Sequence, residues 1–508
     1  MTTEARPARP ERSAGILLHP TSLPGPHGIG DLGPAAFAWV DALTQAKQSW
    51  WQILPLGPTG FGDSPYQSFS AFAGNPYLIS PQRLIEDGLL DAADLGAASF
   101  PPNRVDFGPV IEFKNQLLAR AWERFQSGRS AALKPIFERF AHDEAGWLND
   151  YALFMAIKDT QHGHSWMDWP DAARLRQADY VKKAKSELVR TIGLHQFRQF
   201  LFFRQWESVK AYANERGVKI IGDIPIFVSG DSAEVWANPQ FFALDRDRRP
   251  KYVAGVPPDY FSATGQLWGN PHYDWEAMEK SDFAWWIARF RSTFKMVDMV
   301  RLDHFRGFEA YWEIPAGSPN AIKGRWVKGP GRALMQTMKD TFSSLPIIAE
   351  DLGVITPEVD ALRREFGLPG MRILQFAFGE GANNRFLPHN HDTNTVVYTG
   401  THDNDTTWGW FRTAPEHERD HARRYLARDG SDAAWDLLRL AWASCADYAI
   451  VPLQDVLNLG TEARMNFPGR SEGNWGWRYQ ANQLNPWILD RLADLTQLYG
   501  RDKKPRAA

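Results

Sequence analysis

A single cysteine, Cys445, stands in the 508-residue chain, which excludes an intramolecular disulfide and leaves too few thiolates for a metal site. That scarcity points to an intracellular, cytoplasmic protein. No apolar run reaches the roughly eighteen residues that a membrane-spanning helix needs. The opening MTTEARPARPERSAG has no apolar stretch of the kind a secretory signal carries. An excess of one charge is also absent: 57 Lys and Arg stand against 60 Asp and Glu, a formal net charge of −3. This argues against a dedicated nucleic-acid or anionic-membrane surface. H-E-x-x-H, the EF-hand loop and G-x-S-x-G do not occur, so zinc-protease, calcium-loop and nucleophile-elbow chemistries have no foothold. Neither a metal nor an organic cofactor is expected.

One motif is a decoy. Gly28-Ile29-Gly30-Asp31-Leu32-Gly33 matches the G-x-G-x-x-G dinucleotide pattern. It lies about ten residues past its strand, and no Asp or Glu occurs from Thr44 to Gly62, where the ribose-binding acid belongs. Its glycines are expected to shape a tight loop.

Aromatic residues are abundant: 22 Trp, 14 Tyr and 31 Phe make up 13% of the chain. A large core absorbs many of them. Others stand beside Gly, Asn and Pro in FSATGQLWGNP and EGNWGWRYQ, where flat rings with a polar edge suit the faces of sugars.

Eight short β-rich runs are followed by loop residues: 15–20, 50–57, 219–227, 299–305, 346–353, 371–378, 395–403 and 449–457. Amphipathic segments such as PAAFAWVDALTQAK separate most of them. Strand and helix alternating eight times predicts an α/β fold, the (β/α)8 or TIM barrel. The interval from 57 to 219 is too long for a simple crossover. We expect a mainly helical insertion at about 100–216, packed at the barrel mouth, within one catalytic unit spanning 15–500. Residues 1–14 and 501–508 are expected to be loose tails.

Three carboxylates follow three of these runs: Asp303 in MVRLDHF, Glu350 in PIIAEDLG and Asp403 in VVYTGTHDND. In a parallel barrel that edge is where the loops converge on the active site. Two carboxylates flanking a glycosidic bond are the minimum needed to cleave it. Arg301, two residues before Asp303, shares its side of the strand and favours its ionised form. Glu350 and Asp351 point to opposite sides; Glu350 is taken as the general acid and Asp351 as the cap of the following loop or helix. His402 beside Asp403 suits hydroxyl binding. Asp223 in GDIPIFVSGDS ends another strand, and Tyr66 and Tyr77 lie in a Gly/Pro loop where either could simply pack.

Together these residues resemble the 4-α-glucanotransferases called amylomaltases or disproportionating enzymes, of the α-amylase superfamily. The resemblance runs from GILLHPTSLPGPHGIGDLG to EGNWGWRYQ and includes GDSPYQSFSAFAGNPYLIS, IGDIPIFVSGDSAEVW, GVPPDYFSATGQLWGNP, RLDHFRGF, IAEDLG and GTHDNDT. It implies that Asp303 is the nucleophile, Glu350 the acid/base and Asp403 the transition-state stabiliser. Arg301, His402, Asp223 and Tyr66 then belong to the donor subsite. Trp268, in loop 255–271, belongs to the acceptor side, and Asn474 and Trp475 to a substrate-facing loop at 460–478. The implied substrates are maltooligosaccharides and other α-1,4-glucans, with no nucleic-acid or membrane partner. The implied reaction is a retaining double displacement, whose two carboxylates stand about 5–5.5 Å apart. An α-1,4-glucan hydrolase shares the same carboxylates, and a non-catalytic carbohydrate-binding barrel is the remaining alternative.

Overall fold

The computed structural model describes residues 11–258 and 262–502. The eight β-rich runs form parallel strands: β1 (Ser13–Leu17), β2 (Trp50–Gln52), β3 (Lys219–Pro225), β4 (Met299–Asp303), β5 (Ile347–Ala349), β6 (Gly370–Ile373), β7 (Thr395–Tyr398) and β8 (Tyr448–Pro452). They pair in the order β6-β7-β8-β1-β2-β3-β4-β5, which is chain order around a ring. The ends of this sheet approach each other across a single backbone bond, Ala349 N–H to the Pro369 carbonyl at 2.9 Å. The result is the nearly closed TIM barrel expected from the strand count.

Period-two alternation decides which side chains fill the barrel. Ile221, Met299, Ile348, Met371, Ile373, Val396, Tyr398 and Ile450 pack inside with Leu17 and Trp50. Val300 and Leu302 face the outer helices instead. Gly15 makes room for this filling, because a Cβ there would stand 2.4 Å from the Trp50 Cβ. The same alternation sends Asp223, Arg301, Asp303 and Glu350 inward at the C-terminal mouth.

Several expectations need correcting. The helical insertion ends earlier than 216. The helix Val189–Glu215 belongs to the barrel's own outer layer, since its Trp206 lies 6.1 Å from the Trp51 ring and donates to the Met296 carbonyl at 2.9 Å. Beside the mainly helical insertion, four strands that the sequence reading did not include form a small antiparallel sheet in the order Gln266–Pro271, Tyr252–Val256, Ala310–Pro315, Arg325–Lys328. Segment 255–271 is thus largely a β-hairpin, with 259–261 outside the described residues.

Of the expected tails, residues 1–10 and 503–508 lie outside the described residues, and the described remainder includes positions that belong to the fold. Ser13 and Ala14 open β1, and Arg501 is fully buried, donating to the Ser13, Trp442 and Ser444 carbonyls. Chain ends held by that many backbone acceptors are part of the fold. The decoy glycines do shape a loop: Gly28 has φ +76°, and a Cβ on Gly30 would meet the Pro20 carbonyl oxygen at 2.0 Å.

Candidate active site

Arg301 organises the floor of the mouth. Its guanidinium lies 2.6 Å from Asp303 Oδ1 and donates to Asp223 Oδ2 at 2.7 Å, so one buried cation holds two carboxylates from adjacent strands. Burial works against that charge, but Asp223 and Asp303 raise the arginine well above its ordinary range. Tyr66 donates to the same Asp223 oxygen at 2.8 Å. Burial pushes the Asp223 carboxyl up to about 7 against the pull of Arg301, with the Asp303 charge adding to the rise. Asp223 Oδ1 is buried without a protein partner, an acceptor left open.

Glu350 is gripped at both oxygens by backbone. Oε2 accepts from His304 N–H at 2.8 Å and Oε1 from Leu352 N–H at 2.9 Å. His304 adopts a left-handed φ of +50°, the turn that follows Asp303 and brings its N–H to the glutamate. Burial and the Asp303 charge push Glu350 up to about 8, with Arg301 and the two N–H donors opposing. This environment keeps the carboxyl protonated near neutrality, as a general acid requires.

The opposite wall comes from β7 and the loop after β8. His402 stacks on Tyr66 with ring centroids 5.2 Å apart and planes 18° from parallel, and Trp475 packs against both. Burial lowers the His402 pKa, so the ring is neutral around pH 7. Asp403 Oδ1 accepts from Asn466 Nδ2 at 2.6 Å and lies 3.3 Å from His402 Nε2, while Arg464 holds the Asp403 carbonyl at 2.6 Å. Trp268 sits on the hairpin side, edge-on to His304 at 4.8 Å.

The structure therefore gathers Tyr66, Asp223, Arg301, Asp303, Glu350, His402 and Asp403 at one mouth, with Trp268 at its rim. Two more of the expected residues, Asn474 and Trp475, lie in the loop after β8. Asn474 uses its amide inside its own loop, accepting from Phe467 N–H at 2.9 Å and donating to the Arg470 carbonyl at 2.8 Å. Trp475 is 7% exposed and backs the Tyr66–His402 stack from within the barrel filling. Tyr77 packs with Ile29, Val105 and Val110.

Asp351 does not cap a helix. It receives Met371 N–H at 2.7 Å and lies within 3.7 Å of Arg363, Arg372 and Arg385, bridging the β5–β6 seam where strand pairing lapses.

Sequence reasoning missed Asn466, Arg464 and His304. The first two fall inside the 460–478 loop, but an Asn and an Arg in RMNFPG carry no chemical signal of their own. His304 stood in the motif beside Asp303. Among the described residues no cluster of three His, Cys, Asp or Glu could hold a metal ion.

A family model described as 4-alpha-glucanotransferase matches residues 18–484. The 4-alpha-glucanotransferase of Thermus thermophilus is 53% identical over 96% of this chain and 98% of its own length. That of Synechocystis sp. is 52% identical over 97% and 98%. Among solved structures, the amylomaltase from Streptococcus agalactiae in complex with acarbose is 40% identical, with a TM-score of 0.94 over 97% of this chain and all of that one.

Proposed function

The chain belongs to the 4-alpha-glucanotransferase family, and on that premise we propose that Asp303, Glu350 and Asp403 carry its reaction. The enzyme transfers a segment of an α-1,4-glucan to the 4-hydroxyl of another glucan or of glucose, with retention through a covalent glycosyl-enzyme. In our assignment Asp303 Oδ attacks the anomeric carbon while the Glu350 proton goes to the departing 4-oxygen. The acceptor's 4-hydroxyl then gives its proton back to Glu350 and displaces Asp303, so two inversions restore the α-configuration.

One observation carries the assignment: an inward carboxylate paired with Arg301 at 2.6 Å stands beside an inward carboxyl raised to about 8. In this reading the carboxylate held by the guanidinium is the nucleophile and the raised carboxyl beside it is the acid. The open Asp223 oxygen and the Asp403 oxygen not taken by Asn466 are assigned to hydroxyls of the donor sugar. Tyr66 offers its ring, which His402 and Trp475 brace.

The acarbose complex of the Streptococcus agalactiae enzyme supports an oligosaccharide in this mouth. Among the described residues no helix is long and apolar enough to cross a membrane. We place the enzyme in the cytoplasm on its single cysteine. Incubation with maltotriose tests the reading. A ladder of longer glucans plus glucose at constant reducing ends is expected, whereas rising reducing ends would make the protein a hydrolase.

A further inference from the structure

The outer face of the small sheet carries an aromatic platform that the reaction above does not use. Trp326 and Trp312 are directly paired across neighbouring strands, their rings 5.2 Å apart and edge to face. Tyr311, one residue on, points the other way, towards Phe227 and His272. Trp326 remains 40% exposed. Packed on one side only, the ring presents the rest of its surface to solvent.

Beneath it lies Arg306, 6% exposed, its guanidinium carbon 3.8 Å from the Trp326 ring centre. Arg306 donates through one terminal nitrogen to the Val354 carbonyl, yet its Nε–H is buried without a partner. Glu309, the carboxylate whose charge acts on Arg306, is engaged by Lys328. The guanidinium thus props one face of the indole and leaves the other open, a flat apolar surface that fits the face of a sugar.

The platform is continuous with the mouth. Val354, 57% exposed, lies on the loop that leaves Glu350, and Arg306 is three residues past Asp303. On the other side Trp312 Nε1–H donates to the Ala321 carbonyl at 2.9 Å. Ala321 N–H in turn donates to Thr264 of the hairpin that bears Trp268 at 3.1 Å. The proton of the acid/base goes to the leaving oxygen, so a loop that adjoins Glu350 borders the leaving-group and acceptor side.

We propose that Trp326 and Arg306 form an outer binding site for α-glucan chain on the acceptor side, several sugars beyond the bond that is cut. The sugar face stacks on the open face of Trp326, and Arg306, against the other face, holds the ring in place. The position of the site relative to the cleaved bond rests on Glu350 being the acid/base; the binding itself does not.

The test separates the two. In an Asp303→Asn background, migration through a native gel containing amylopectin should be retarded, and adding Trp326→Ala should remove most of that retardation, with Trp326→Phe restoring part of it. In the active enzyme, Trp326→Ala should depress kcat/KM more steeply as the acceptor lengthens, by about fivefold to tenfold for amylose relative to maltose. Arg306→Lys, which keeps the charge but loses the planar fork, should show the same length dependence in weaker form. Equal losses for maltose and amylose, or unchanged retardation in the gel, would overturn the proposal. So would loss of a dimer in Trp326→Ala with glucan binding intact, which would give the patch to a second copy of the chain.

Discussion

The two walls of the mouth are built on opposite principles. On the wall assigned to the donor the side chains are locked by one another, with one oxygen each of Asp223 and Asp403 left open: Arg301 grips Asp223 and Asp303, Tyr66 donates to Asp223, and Asn466 fixes Asp403. Rings brace one another there, with His402 and Trp475 behind Tyr66. The acceptor wall is a hairpin and a small sheet edge with Trp268 half-buried, Leu267 42% exposed and Trp326 40% exposed. Preorganised dipoles are needed where charge develops, at the anomeric carbon, and reorganising them during the reaction would forfeit their effect. The acceptor must instead leave and be replaced in each cycle. Flat apolar contact binds it without demanding one geometry.

Substitutions on the two walls should therefore fail differently. Asp303→Asn is expected to reduce transfer by at least about 10³-fold while glucan binding stays measurable by calorimetry. Glu350→Gln should cost about 10²–10⁴-fold, and much less with a donor whose leaving group needs no proton. The wild-type rate should also fall as pH rises past about 8, because Glu350 is protonated, and hence an acid, only below that value. That alkaline limb should vanish in Glu350→Gln assayed with such a donor.

Tyr66→Phe removes one hydrogen bond to a buried carboxylate, about 1.5–3 kcal/mol, and should lower kcat/KM roughly tenfold or more. Trp268→Ala on the looser wall should raise the acceptor KM a few-fold with the donor half-reaction nearly intact. A larger loss for Trp268→Ala than for Tyr66→Phe would break the comparison.

How much of this was legible in the sequence follows from where the partners lie. The eight barrel strands were readable because each is a short β-rich run buried on both faces, a pattern that needs no knowledge of distant residues. Arg301 and Asp303 were readable together because two residues in a strand share a face. The small sheet was not, since AYWEIP pairs with RWVK on one side and, on the other, with a strand of a glycine-rich hairpin far back in the chain.

Asp351 shows the limit most clearly. Its direction, opposite to Glu350, followed from alternation, but its three arginines come from 363, 372 and 385 and only the closing of the barrel brings them to it. Asn474 shows the converse, because its amide is engaged within its own loop, which the residue type alone does not reveal.

The central claim is that Asp303 becomes covalently bonded to the donor sugar with Glu350 as its acid/base. Its most direct test is mass spectrometry of peptides from Glu350→Gln quenched after incubation with α-glucosyl fluoride, a donor whose leaving group departs without a proton. The account predicts one hexose on the peptide that contains Asp303. A hexose on the peptide with Asp403, or an enzyme that turns over with no adduct at all, would contradict it.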